Sequence, residues 1–337
     1  MSLNSAWFVM LAFLLAGYAV LDGFDLGLGA IHLLLGKDRD ERARLIDSIG
    51  PVWNGNEVWL LGVGGSLVAA FPNLYAASFS GFYLALMLVL WLLLLRGIGI
   101  EFRHQIHNPL WEDAWDVVFS AASLLLALLF GLALGNVLHG VPFDDRGEFR
   151  ATFAVLLNGF SLLGGLLSVA TLSMHGACWA ALKMDGSLQA RARRFAANGW
   201  AASAVLLAAM IGASVVVRPD FADNFTSHRW LLIIPVWTLA ALALTRYYIS
   251  RDDSRAFVAS SGYVAGILAS VAGGLYPMLL PAVAGSAFPG LDIYNAAAPY
   301  ESMRTALVVY AIGISLVSVY LARIYRVWKG KSGPVYL

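Results

Sequence analysis

Nine stretches of this chain are apolar over roughly the 20 residues that a helix needs to cross a bilayer, and short charged connections separate them. They run Trp7–Leu35, Pro51–Phe71, Phe79–Leu95, Trp115–Leu138, Ala151–Leu182, Ala197–Val217, Trp230–Ile249, Ala256–Ala284 and Met303–Tyr325. Only helices and closed barrels can satisfy backbone polar groups in lipid, so stretches of this length predict an all-α polytopic membrane protein. Composition agrees: 60% of the 337 residues are hydrophobic and 13% charged, against about 45–50% and about 25% in soluble domains. A soluble α/β enzyme is excluded. With 22 Lys and Arg against 21 Asp and Glu there is no basic field for nucleic acid. The single cysteine, Cys178, can form no internal disulfide and lacks the paired spacing of a metal site, so no metal is expected. Met1 to Ala6 carries no Lys or Arg, and no small-residue cleavage site follows, so the first stretch is expected to stay as a helix. The eighth stretch carries Pro277 and Pro281, which predicts a kink or emergence into water. No soluble domain fits between the stretches, and one membrane domain is expected over 1–337.

Lys and Arg set the orientation, because cytoplasmic loops hold the excess. Connections within 37–44, 96–103, 183–194, 246–255 and 323–331 hold 17 of them, and the opposite side holds 5: Arg146, Arg150, Arg218, Arg229 and Arg304. The N-terminus is therefore expected outside and the C-terminus in the cytoplasm.

An ionisable side chain inside the hydrocarbon costs at least about 2.5–3.5 kcal/mol, which makes each one a functional candidate. Asp22 and Asp25 lie three apart in Leu21-Asp22-Gly23-Phe24-Asp25-Leu26-Gly27, on one face of the first helix. At 1.5 Å per residue Asp22 is about 22 Å deep, in the cytoplasmic half. The second stretch opens Gly50-Pro51-Val52-Trp53-Asn54-Gly55-Asn56-Glu57, with Glu57 about 10 Å from the cytoplasmic face. A short hairpin makes the two helices antiparallel neighbours, so Asp22, Asp25, Asn54 and Glu57 are expected to converge on a polar patch suited to cytoplasmic proton access. Helix-end chemistry is the competing reading, with Pro51 in the first turn and Glu57 aiding the dipole. Further on, Arg96, Glu101 and Arg103 alternate in charge, which reads as solvated positive anchors or an ion-pair knot. Asp116 reads as an N-terminal cap of the fourth helix more than as a proton carrier. His104, His107, His139 and His228 fall at helix ends, His32 lies near the cytoplasmic end of its helix, and His175 alone is clearly within a stretch. Haem ligation by this chain is not expected.

Four strings occur in order: Asp-Gly-Phe-Asp-Leu-Gly at 22–27, Gly-Pro-Val-Trp-Asn-Gly-Asn-Glu-Val-Trp at 50–59, Arg-Gly-Ile-Gly-Ile-Glu-Phe-Arg at 96–103, and Gly-Asn-Val-Leu-His-Gly-Val-Pro-Phe at 135–143. Together they resemble subunit II of the cytochrome bd quinol oxidases. The resemblance is strong over the first 145 residues and rests beyond them on Asn158-Gly159, Gly164-Gly165 and helix count. It implies nine membrane helices, two four-helix bundles plus one, in a prokaryotic plasma (inner) membrane. It also implies a partner subunit I that carries haem b and haem d and the quinol site, in a complex that reduces oxygen to water. Subunit II would support that partner and help deliver protons, with Asp22, Asp25 and position 54 as the path. Position 54 here is Asn where the family commonly has Asp; Asn holds water but cannot titrate, and Glu57, one turn on, is the substitute. A small accessory subunit and a bound structural quinone or lipid are left open by the sequence. The rival from another class is a proton-coupled secondary transporter with a broken first helix, against which no second-half helix carries two carboxylates.

Overall fold

The computed structural model describes residues 2–144, 147–149 and 151–331; Arg146 and Arg150, counted above on the less basic side, lie outside the described residues. The chain is overwhelmingly helical. In order it forms α1 (Leu3–Leu35), α2 (Arg39–Asp47), α3 (Trp53–Ala70), α4 (Pro72–Gly81), α5 (Tyr83–Phe102), α6 (Pro109–His139), α7 (Phe153–Leu156), α8 (Gly159–Lys183), α9 (Gly186–Val217), α10 (Asp223–Ser227), α11 (Ile233–Tyr248), α12 (Asp253–Leu275) and α13 (Tyr300–Val327). A hairpin of β1 (Met278–Pro281) and β2 (Gly290–Asp292), antiparallel, precedes α13.

Among the described residues eight helices are long and apolar enough to cross a membrane, one fewer than the nine stretches. The missing one is α3, whose 18 residues carry Asn54, Asn56 and Glu57 near the start and contain four glycines. Other boundaries also move. Asn158 caps α8 by accepting from the Ser161 amide, so the fifth stretch is broken into α7 and α8. Asn108, not Asp116, caps α6, and Pro109 fills its first position; α6 therefore starts two turns before the expected residue. The eighth stretch leaves the helix at Leu275 and becomes β1, because Pro277 has no amide to continue the ladder.

Helix α1 is the centre of the bundle, packed against α3, α6, α8 and α12. Small residues make this possible. A Cβ on Gly27 would sit 1.7 Å from the Leu172 carbonyl oxygen of α8, and one on Gly176 would sit 2.1 Å from the Leu28 nitrogen of α1. Backbone-to-backbone contact of this kind is how helices associate where lipid removes the hydrophobic driving force. Gly131 and Gly135 of α6 meet Gly164 and Ser161 of α8 in the same way. Helix α13 is the opposite case, with 6% of its apolar window buried, so most of its surface faces lipid or another chain.

The two ends differ chemically. At the end holding the start of α1, Trp7 Nε1 donates to the Met303 carbonyl and the Ser5 and Tyr276 hydroxyls lie 2.9 Å apart. That end has local ion pairs, Arg218 to Asp220 and Arg304 to Glu301, whereas the other end carries pairs between elements: Arg39 to Asp113 at 2.6 Å, Arg44 to Asp185 at 2.8 Å, Arg193 to Asp253 at 2.8 Å, and Arg191 to Glu41. Gly27→Leu should abolish accumulation of the chain in membranes, since backbone atoms cannot retreat from the new side chain. Gly212→Ala, where a Cβ meets open space, should leave it unchanged; quantitative blotting of membrane fractions reads both.

Candidate functional site

Helix geometry puts positions seven apart on one stripe, two turns along. On α5 that stripe carries Arg96 and Arg103, both buried despite their charge. Arg96 Nη1 donates to both oxygens of Asp22, at 2.7 and 2.8 Å, with both side chains fully buried. Two turns on, Arg103 Nε donates to Asp116 Oδ1 at 2.7 Å, and the same carboxylate lies 2.9 Å from His32 Nε2 and 3.8 Å from Arg42. Glu101, between the two arginines, is exposed and belongs to neither pair. The expected alternating anchor is thus two separate buried pairs. Arg96 looked interfacial because the third stretch was ended at Leu95, whereas α5 continues to Phe102.

Asp25 is fully buried and accepts from Asn56 Nδ2 at 2.8 Å through Oδ2. Asn56 Oδ1 in turn accepts from the Tyr325 hydroxyl of α13 at 2.9 Å. Asp25 Oδ1 and Arg96 Nε and Nη2 have no hydrogen-bond partner among the described residues. Glu57 Oε1 is 3.8 Å from Arg96 Nη2, and its side chain is 26% exposed. Asp22, Asp25, Arg96 and Glu57 therefore form one cluster. Asn54 is not in it: this residue points outward on α3 and is exposed. Positions 54 and 56 are about 200° apart on a helix, so the face that brings Asn56 to Asp25 turns Asn54 away. Asn56 and, through it, Tyr325 are the contacts of Asp25 that the sequence reading did not place in the patch. Asn56 had a local signal, its place in the second string; Tyr325, 269 residues distant, had none.

Asp116 is likewise no cap but a buried anion held by two basic side chains and a histidine. Of the two buried histidines, His175 is bonded through both nitrogens, and His32 through Nε2 alone, its Nδ1 having no hydrogen-bond partner among the described residues. His175 Nε2 donates to the Val20 carbonyl at 3.0 Å, Nδ1 lies 2.7 Å from the Ser260 hydroxyl, and its ring stacks on Phe257. His32 is tied to Asp116 and closed off by Phe119. Among the described residues no three His, Cys, Asp or Glu gather as a metal site. Outside the spans, burial pushes the Asp47 carboxyl above the usual range against the pull of His104 and Arg103, and Arg44 holds Asp185 below it.

Breaking a buried pair from one side leaves an uncompensated charge, at a cost of about 3–5 kcal/mol, whereas removing both charges is far milder. Arg96→Gln should therefore sharply reduce the thermal stability of the purified protein, and Arg96→Gln with Asp22→Asn should recover most of it. Equal loss in the single and double variants would mean that the pair is not the stabilising unit.

The model of the family described as cytochrome bd terminal oxidase subunit II matches residues 3–328. A Haemophilus influenzae protein named a probable cytochrome oxidase subunit 2 is 35% identical over 97% of this chain and 93% of its own length. The cytochrome bd-I ubiquinol oxidase subunit 2 of Escherichia coli K12 is 32% identical over 97% of this chain and 94% of its own. For the cytochrome bd ubiquinol oxidase subunit 2 of Bacillus subtilis the figures are 31%, 96% and 96%. The solved bd oxidase of Geobacillus thermodenitrificans contains a chain of the same fold, with a TM-score of 0.80 at 19% identity, covering 97% of this chain and 99% of that one. With a family model spanning nearly the whole length and relatives above 30% identity, this multi-pass membrane protein belongs to the subunit II family of the cytochrome bd oxidases, the quinol-oxidising respiratory oxidoreductases.

Proposed function

We propose that this chain is the non-catalytic subunit II of a quinol:oxygen oxidoreductase, that it supports a haem-bearing subunit I, and that Asp25 carries protons from the cytoplasm towards the partner. The observation that carries this reading is a polar line that runs out of the bundle sideways. It starts at buried Asp25 and Asp22, passes Arg96 and reaches the surface at Glu57 of α3, 26% exposed, with exposed Asn54 nearby on the same helix but outside the cluster. An amide and a carboxylate facing lipid are costly, so this face of α3 suits a protein partner. The roles of the carboxylates divide. Asp22 is saturated by Arg96 and Asp116 by Arg103 and His32, which makes both of them fixed anions; Asp25 keeps one free oxygen.

In this reading all haem b and haem d, the quinol site and the oxygen chemistry belong to subunit I, in keeping with His175 being bonded through both ring nitrogens. The chain is one membrane domain of nine spans, with α3 as the ninth inside the complex, arranged as two four-helix bundles plus one helix. Its N-terminus is outside and its ion-paired end is in the cytoplasm of a prokaryotic inner membrane; a small accessory subunit and a structural quinone or lipid are compatible with the exposed faces. The secondary transporter has no comparable support, because the family match runs the full length.

Asp25→Asn keeps shape and removes only the titrating group. It should slow quinol-driven oxygen consumption about 10²-fold where proton transfer limits the rate, at normal haem content, while Asn54→Asp is tolerated. Parent rates for Asp25→Asn at every pH tested would overturn the conduction role. Expressed alone, the chain should show no Soret band, and subunit I expressed without it should fail to assemble its oxygen-reducing haems; difference spectra of purified material read both.

A further inference from the structure

A buried carboxyl that takes up and releases a proton must be hydrogen-bonded in both charge states, or one of them carries the full penalty of an unsatisfied polar group. Asp25 is placed to meet that condition through two residues from other helices. In the arrangement seen, the Asn56 amide turns its NH₂ to Asp25 Oδ2, which suits the ionised carboxylate, and its carbonyl to the Tyr325 hydroxyl. Rotated by half a turn, the same amide would present its carbonyl to a protonated Asp25 and its NH₂ to Tyr325. Both arrangements are satisfied only because a phenol hydroxyl both donates and accepts.

We propose that Asn56 and Tyr325 are positioning residues for Asp25, an amide and hydroxyl pair that follows its charge state and so lets a buried proton be loaded and released. The proposal rests on Asp25 being the proton carrier. The charged groups around Asp25 fit the arrangement, and on its own helix the buried Tyr18 hydroxyl faces the Asp22 and Arg96 pair. Asp22 on its own helix is neutralised by Arg96 of α5, Glu57 of α3 lies beyond that arginine, and α6 presents Asp116 two turns away, already paired. Helix α8 contributes His175 behind Phe24, both of its nitrogens bonded, and α12 contributes Phe257 and Ser260, which carry no charge. Tyr325 is thus the one hydroxyl that reaches Asn56 among the described residues. It is held there by an edge-on contact with Trp179 at 6.2 Å and by Lys183, which donates to the Trp328 carbonyl just past the end of α13.

Tyr325→Phe removes the hydroxyl and keeps the ring contact. In the intact complex, normalised to haem, it should lower quinol-driven oxygen consumption about tenfold and move the alkaline limb of the pH–rate profile by about one pH unit, the scale of one lost hydrogen bond to a charged group. In an Asp25→Asn background the same change should have no further effect, because the pair has nothing left to follow. The infrared band of the protonated Asp25 carboxyl should also shift in Tyr325→Phe. Should Tyr325→Phe fail to assemble, Asn56→Ala is read in the same way. If Asp25→Asn is slow but Tyr325→Phe keeps the parent rate and profile, or if the two effects multiply in the double variant, this inference is wrong while the proton reading stands. If Asp25→Asn itself turns over at the parent rate, the proton reading fails.

Discussion

The buried contact between Arg96 and Asp22 fixes the registry of the bundle. Two full charges with no exposed side-chain surface are tolerable in a bilayer only as a close, hydrogen-bonded pair, so α1 and α5 are locked in depth and rotation at that level. The second pair, Arg103 with Asp116, repeats the lock two turns further on and ties in α6, with His32 of α1 on the same carboxylate. A slide of α1 by a single residue would turn Asp22 about 100° away from Arg96. The glycine contacts between α1 and α8 act on the opposite side of the same helix. Helix α1 is thus held between an electrostatic clamp and a steric one.

How much of this was legible from the residues differs by kind of information. The apolar stretches, the carboxylate pair in α1 and the four strings are local features and carried the fold class and family. Helix ends were misread where charge begins, because a hydropathy window stops at the first ionisable residue while the backbone ladder does not. Arg96, Arg103 and Asp116 all fell into that gap, and all three are buried. Their spacing did hold the information: seven residues between the arginines is a two-turn repeat on one stripe, which is a helical face and not a loop. The exchange of Asn54 for Asn56 has a different origin. Both lie in the same short string as Glu57, but a helix separates them by angle, and only the partner helix decides which angle faces inward. Tyr325 depends on how α13 returns to α3, a long-range contact with no local signature.

Under the proposed proton role, the pattern of hydrogen bonding separates groups that hold charge from groups that can exchange it. Asp22 has both oxygens on one guanidinium, and Asp116 has its oxygens shared between Arg103 and His32. Protonating either would leave a buried cation unpaired. Asp25 faces the reverse balance: its one direct partner is a neutral amide, its other oxygen is free, and no cation is bound to it. A proton arriving in the cluster therefore disturbs least by resting on Asp25. The arginine clamp has a further consequence. With Arg96 and Asp22 cancelling each other, two carboxyls of the cluster are left over, Asp25 fully buried and Glu57 partly exposed beyond the arginine. In the proposed reading the neutralised pair thus stands beside one fully buried carboxyl and one at the surface, rather than beside two bare buried carboxylates.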